Sequence, residues 1–223
     1  MKHRDERNRR TGERKPRGSN IPKRTYELGY YCVVTDTKET EKNYLYGLRE
    51  SLPNNVQNKL NIQVVSTETK DLFEEASRLK NLNPQYSQTW IVFDRDRVTA
   101  FDAIIEQADA DGIKVGWSNP CIEIWFHAYY GKMPVFQGGR AFSKECWSSF
   151  KKIYKQKTGQ EYEKADSRIY RQLKNTGDEA AAINLADQRF KANDDGKKKP
   201  SEMDSTSTLF MLIEDILSRA SAT

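Results

Sequence analysis

Asp94 and Asp96 stand at the end of the apolar run "WIVFDRD" (90–96), with one arginine between them. If the strand stays extended through Asp96, both side chains leave the same side of the sheet. Two carboxylates that close repel each other, and a divalent cation relieves the repulsion. Ligation by oxygen alone favours Mg²⁺ or Mn²⁺, which orient phosphate oxygens and activate water. The competing reading is a surface turn in which Arg95 and Arg97 solvate the pair. Asp36, in "VVTDTKETEKNY" (33–44), holds the matching turn after an earlier apolar run. It is either a third metal ligand or a turn-capping Asp. Glu41 lies in the first turn of the helix that follows, where the helix dipole alone favours a carboxylate. Glu123 and His127 in "SNPCIEIWFHAYY" (118–130) are four apart, hence on one helix face. They are candidates for catalysis or for a simple i,i+4 ion pair.

These residues need elements to hold them. "LGYYCVVT" (28–35), "NIQVVST" (61–67), "QTWIVFD" (88–94) and "IKVGWS" (113–118) have the apolar, β-branched character of buried strands. Between them, 40–52, 69–82 and 99–112 carry apolar residues at helical spacing, with Thr40 as an N-cap and Gly112 closing the third helix. Asn119 and Pro120 suit the cap and first turn of a fourth helix. Such alternation predicts an α/β fold with a mostly parallel four-stranded sheet flanked by helices. Ligands bind beyond the carboxyl ends of the strands in sheets of this kind. Asp36, Asp94 and Ser118 all fall at those ends. After Tyr130 the pattern turns helical, near 143–157, 164–174, 178–193 and 204–220. The expected organisation is a basic arm (1–26), an α/β core (27–130) and a helical extension packed on that core (131–223).

Composition narrows the function classes. No run approaches the ~18 apolar residues of a membrane span, and the basic N-terminus lacks the apolar middle of a secretion signal. Cys32, Cys121 and Cys146 show no CxxC spacing, so neither structural zinc nor a disulfide framework is expected. Cys121 reads as a buried thiol. A reducing cytoplasm is the natural setting. Residues 1–24 hold ten Lys/Arg against three Asp/Glu, whereas the whole chain has a net charge of only +5. The basicity therefore belongs to the arm, which by composition is expected to be disordered alone. It is a solubilising tail or a phosphate-contacting arm, with Arg4, Arg7, Arg9, Arg10, Arg14, Lys15 and Arg17 as the nucleic-acid-binding candidates.

In order and over nearly its whole length, the chain resembles the RloB-like family, which includes the AbiLii-type abortive-infection proteins. The family pattern runs from a Lys/Arg-rich start through "CEGxxTExxY", a strand ending in "DxD", "SNPCFExW", an "IY…L" segment and an "NPxT" helix start. This sequence offers "VTDTKETEKNYLYGL" (34–48), "VFDRDR" (92–97), "SNPCIEIWFHAYY" (118–130), "RIYRQL" (168–173) and "PSEMDSTSTLFMLIEDI" (200–216). The resemblance implies a TOPRIM-like domain holding Mg²⁺ through an acidic residue after the first strand and a DxD. Asp36 replaces the family glutamate and Thr37 the family glycine, and Glu39 or Glu41 are alternative ligands. Glu123 matches the "SNPCFE" glutamate.

The expected function is a metal-dependent nuclease acting on DNA or RNA, tRNA included, as a phage-defence effector beside a partner ATPase. Its site would comprise Asp36, Asp94, Asp96, Glu123 and His127, the first three binding Mg²⁺ or Mn²⁺. One alternative is a haloacid-dehalogenase-like phosphatase with Asp94 as nucleophile. Another is a non-catalytic nucleic-acid-binding subunit of an ATPase complex.

Overall fold

The apolar strand expected near the start is β1, Tyr30–Thr35, whose last five residues are buried. It belongs to a computed structural model that describes residues 29–35, 39–64, 69–96, 98–136, 142–194 and 196–221. The candidate arm residues Arg4, Arg7, Arg9, Arg10, Arg14, Lys15 and Arg17 lie outside the described residues, as do Asp36 and Thr37.

The elements follow the alternation in the sequence. After β1 come α1 (Thr40–Ser51), the short α2 (Asn54–Gln57) and β2 (Leu60–Val64). A 3₁₀ turn leads into α3 (Leu72–Leu82), then β3 (Tyr86–Asp94), α4 (Phe101–Ala110), β4 (Lys114–Asn119) and α5 (Glu123–Ala128). The remainder gives α6 (Phe142–Thr158), α7 (Ile169–Thr176), α8 (Glu179–Asn193), the two-residue β5 (Thr206–Ser207) and α9 (Leu209–Ala220). Gly112 has φ +65 just after α4, a conformation that suits a residue without Cβ.

The sheet order is β2-β1-β3-β4-β5, with parallel pairs throughout except β4–β5. This is an α/β fold with a mostly parallel sheet, and it has five strands where the sequence predicts four. The fifth comes from a stretch that reads as helix. Ser205 takes φ 52, Thr206 and Ser207 pair with β4, and the helix starts only at Leu209. Hydroxyl chemistry explains the difference. Ser118 and Ser207 share a hydrogen bond of 3.0 Å, and Thr208 accepts from the Trp117 N–H at 3.0 Å. Polar side chains here complete an edge strand, which overrides the helical spacing behind them.

Strand residues alternate between two cores. Tyr31, Val33, Trp90 and Val92 face the larger one with side chains from α1, α5 and α9. Cys32, Val34, Ile91 and Phe93 face the other, with α3 and α4. Burial on both faces is why these strands read as continuous apolar runs. The larger core also takes in Phe150, Tyr154, Leu173, Ala182 and Ala186 of α6, α7 and α8. Helices α1 and α7 come close together at Gly47, where an added Cβ would lie 2.6 Å from Cβ of Tyr170.

The turn after β4 differs from expectation. Asn119 ends the strand instead of capping a helix, the Asn119–Pro120 bond is cis, and α5 begins at Glu123. The Asn119 amide is committed elsewhere. It donates to the backbone carbonyls of Pro200, Ser201 and Met203 at 3.1–3.4 Å.

Candidate active site

Asp94 is the last residue of β3 and lies in register with Ser118 of β4. It is only partly accessible, and its Oδ2 accepts a 3.0 Å hydrogen bond from the Ile122 N–H, in the turn that starts α5. Glu41, in the first turn of α1, is 2% exposed, and Glu123 is fully buried. The three carboxyl groups form one acidic site. Burial pushes the Asp94 carboxyl well above the ordinary carboxylate range. The negative charges of Glu41 and Glu123 and a hydrogen bond with Glu41 push it further, and the Ile122 N–H works the other way.

Two residues from the connection between α6 and α7 complete the site. Tyr162 donates to Oε1 of Glu123 at 3.0 Å. Nζ of Lys164 stands 3.8 Å from the same oxygen. Burial lowers the Lys164 pKa, but the nearby Glu123, Asp94 and Glu41 carboxyls outweigh it and hold the ammonium above its usual value. The loop is fixed to α1 by Thr40 Oγ1 donating to the Lys164 carbonyl (3.2 Å) and Asn43 Nδ2 to that of Ala165 (3.0 Å). Oε2 of Glu123 is buried and has no hydrogen-bond partner among the described residues.

The donor set consists of oxygens only, the chemistry preferred by a hard divalent cation. A fully buried carboxylate oxygen without a partner among the described residues, beside an Asp94 carboxyl whose pKa is raised, fits a cation-binding role. Asp94, Glu123 and Glu41 are the residues that would hold it. Among the described residues, no group of three or more His, Cys, Asp or Glu is gathered in preformed metal-ligand geometry.

The remaining candidates are placed as follows. Asp36 lies outside the described residues. The strand does not continue through Asp96, so the same-side alternation expected of the DxD pair is lost. Asp96 has φ 23, is exposed, and donates its N–H to the Pro120 carbonyl at 3.0 Å. The chain turns because Arg95 N–H bonds Ser118 O at 2.8 Å and Val98 N–H closes onto Arg95 O at 2.7 Å. The Arg95 guanidinium goes to Asn119 Oδ1 at 3.3 Å and, at 3.9 Å, to Asp204. Glu123 and His127 share a helix but not an ion pair, because Glu123 is turned to Tyr162 and Lys164. His127 is 2% exposed and sits beside the rings of Phe136 and Phe150.

Spacing alone does not single out Glu41, Tyr162 and Lys164. Glu41 leaves a trace in the sequence, since "TE" of the family pattern falls on Thr40 and Glu41. The segment "EYEKAD" around Tyr162 and Lys164 carries no local signal of a site; the helix expected from about 164 begins only at Ile169.

Burial pushes the His127 imidazole down to about 4, with the Cys146 backbone opposing weakly. Folded His127 thus binds fewer protons than unfolded His127 between about 4 and the ordinary ~6.5. The stability from keeping it neutral is complete above ~6.5 and is lost as pH falls towards 4, on the order of 3 kcal/mol. Imidazole signals followed by NMR should show His127 neutral at pH 6. An ordinary titration midpoint near 6.5 would sink this placement.

The family model described as RloB-like protein matches residues 31–216. No curated protein and no solved structure matches the chain.

Proposed function

The chain belongs to the RloB-like family, and from that premise we propose that it is a Mg²⁺- or Mn²⁺-dependent nuclease. The observation that carries the reading is the shared acidic site of Asp94, Glu123 and Glu41 at the carboxyl edge of the parallel sheet. That is where such sheets place their ligands. A bound Mg²⁺ or Mn²⁺ supplies Lewis-acid polarisation of a phosphoryl oxygen and lowers the pKa of water.

The protein's own groups do the rest. Tyr162 fixes the orientation of Glu123, and the Ile122 N–H fixes that of Asp94. Lys164 places a positive charge beside the carboxyls, where it can meet a phosphate oxygen and offset developing negative charge. His127 is neutral and enclosed by aromatic rings, so its part is to shape the wall behind Glu123. The substrate is DNA or RNA, tRNA included. A role in phage defence beside a partner ATPase follows from the associations of the family.

Labelled DNA and tRNA should be fragmented by the protein with Mg²⁺ or Mn²⁺ and left whole in EDTA, the partner ATPase being supplied in a parallel arm. Intact substrate in every arm would refute the nuclease reading. The lack of preformed three-ligand geometry among the described residues favours one second reading, a nucleic-acid-binding subunit without catalysis. Salt-sensitive binding without cleavage, indifferent to Asp94→Asn, would select it. The phosphatase reading gains nothing comparable, since Asn193 ends a helix and its "NDDG" follows no strand.

A further inference from the structure

The connection that brings Lys164 to the acidic site continues into a second feature, a cleft of about 690 Å³ between α1 and α7. Its floor is the close approach of Gly47 to Tyr170, which only a residue without a side chain allows. Its walls carry Lys42, Arg168, Arg171 and Lys174 against a single carboxylate, Glu50, with Tyr46 beside them. Among residues 25–223, acidic side chains outnumber basic ones, so four cations in one cleft depart from the local average.

The cations are unequally committed. Lys174 is paired with the buried Glu179 at 2.6 Å and Arg168 with Asp166 at 3.0 Å. Lys42 lies 5.8 Å over the Tyr46 ring. Arg171 is exposed and has no ion-pair or hydrogen-bond partner among the described residues. The cleft is built on two segments that also carry residues of the acidic site. Lys42 follows Glu41 on α1, and Arg168 stands four residues after Lys164 on a loop that Thr40 and Asn43 hold down.

We propose that the α1–α7 cleft is the track for a single-stranded nucleic-acid backbone that leads into the acidic site. A concave basic groove with an aromatic side chain suits a single strand, whose phosphates follow the cations while a base meets the ring. A single strand, unlike a duplex, has unpaired bases free to meet the ring. The inference extends the nuclease reading and rests on it for what happens to the strand, not for the binding itself. It also assigns phosphate contacts to the folded body, in addition to those expected of the N-terminal arm.

The test uses the full-length chain carrying Asp94→Asn, in EDTA, so that binding is read without cleavage. Fluorescence anisotropy would compare labelled single-stranded RNA and DNA of one sequence over a range of salt concentrations. Arg168→Gln/Arg171→Gln should weaken binding to both about tenfold and flatten the slope of log affinity against log salt by about 1.4, roughly 0.7 for each phosphate no longer neutralised. Lys152→Gln/Lys157→Gln on α6, outside the cleft, should change neither. If the double variant melts early because the Arg168–Asp166 pair is gone, Arg171→Gln alone carries the test, with a slope change of about 0.7. Unchanged affinity and slope would overturn the proposal, as would an equal reduction in the α6 control. A duplex of the same length competing as well as the single strand would overturn the single-strand assignment. Weakened binding in the cleft variants of a protein that cleaves nothing would leave the track standing and remove the nuclease. Cleavage by the parent with unaltered binding in the variants would do the reverse.

Discussion

Asp94→Asn should abolish divalent-dependent cleavage, lowering it by about a hundredfold or more, since even outer-shell partners of a metal site cost 10–100-fold. The fold should survive, because an asparagine oxygen can still accept the Ile122 N–H that Asp94 accepts at 3.0 Å. Stability gives a second readout. The folded Asp94 carboxyl titrates above its unfolded value, so between the two the folded state holds more protons. In the metal-free protein the contribution of Asp94 is therefore fully present below the ordinary carboxylate range of ~4 and is lost as pH rises towards the raised value. Asp94→Asn removes that penalty and should raise the melting temperature of the metal-free protein at neutral pH. Mg²⁺ should stabilise the parent, by an amount set by its concentration relative to Kd, and leave the variant nearly unmoved. Equal cleavage by variant and parent would dismiss Asp94 from the site. Equal response of both melting temperatures to Mg²⁺ would dismiss it as a metal ligand.

His127 and Asp94 pull stability in opposite directions across the same acidic range. Falling pH removes the contribution of the buried neutral imidazole and relieves the repulsion around Asp94. The two slopes partly cancel in the parent. Asp94→Asn should expose the imidazole slope alone, with stability falling from about pH 6.5 towards 4.

The parallel sheet was legible because strands buried on both faces leave continuous apolar runs, and helices between them leave a clear 3.6-residue period. Asp94 was legible for the same reason, as the polar residue that ends such a run. What lay beyond local pattern was the path of the chain after it. Nothing in "DRDRV" shows that backbone bonds to Ser118 and Pro120 turn the chain and carry Asp96 to the surface. Tyr162 and Lys164 meet Glu123 from 39 and 41 positions away in sequence, through a loop that carries no local signal of a site. Glu41 shows how one residue type can satisfy two explanations. A carboxylate in a first helical turn is favoured by the helix dipole, and only tertiary structure shows that this one also faces Asp94.

Phe150→Ala should cost about 3–5 kcal/mol, the range for removing a buried aromatic side chain. In a protein of this size that lowers the melting temperature by about 10 °C. Phe150 is fully buried on α6, and its ring meets Phe126, His127, Tyr130, Tyr154 and Tyr162, with centroids 4.8–6.2 Å apart. The nearest of these is Tyr162, edge-on at 4.8 Å. Removing the ring takes away the wall that presses Tyr162 towards Glu123, so cleavage should fall together with stability. His127 would be left with one of its two aromatic neighbours and gain access to water, moving its pKa from about 4 back towards the ordinary histidine value. Phe150→Leu, which fills most of the space, should recover much of the stability. A melting temperature within a degree or two of the parent for Phe150→Ala would contradict the central place of this ring. Reduced stability with full activity would mean that the Tyr162–Glu123 contact is held by its hydrogen bond alone and owes nothing to the aromatic core behind it.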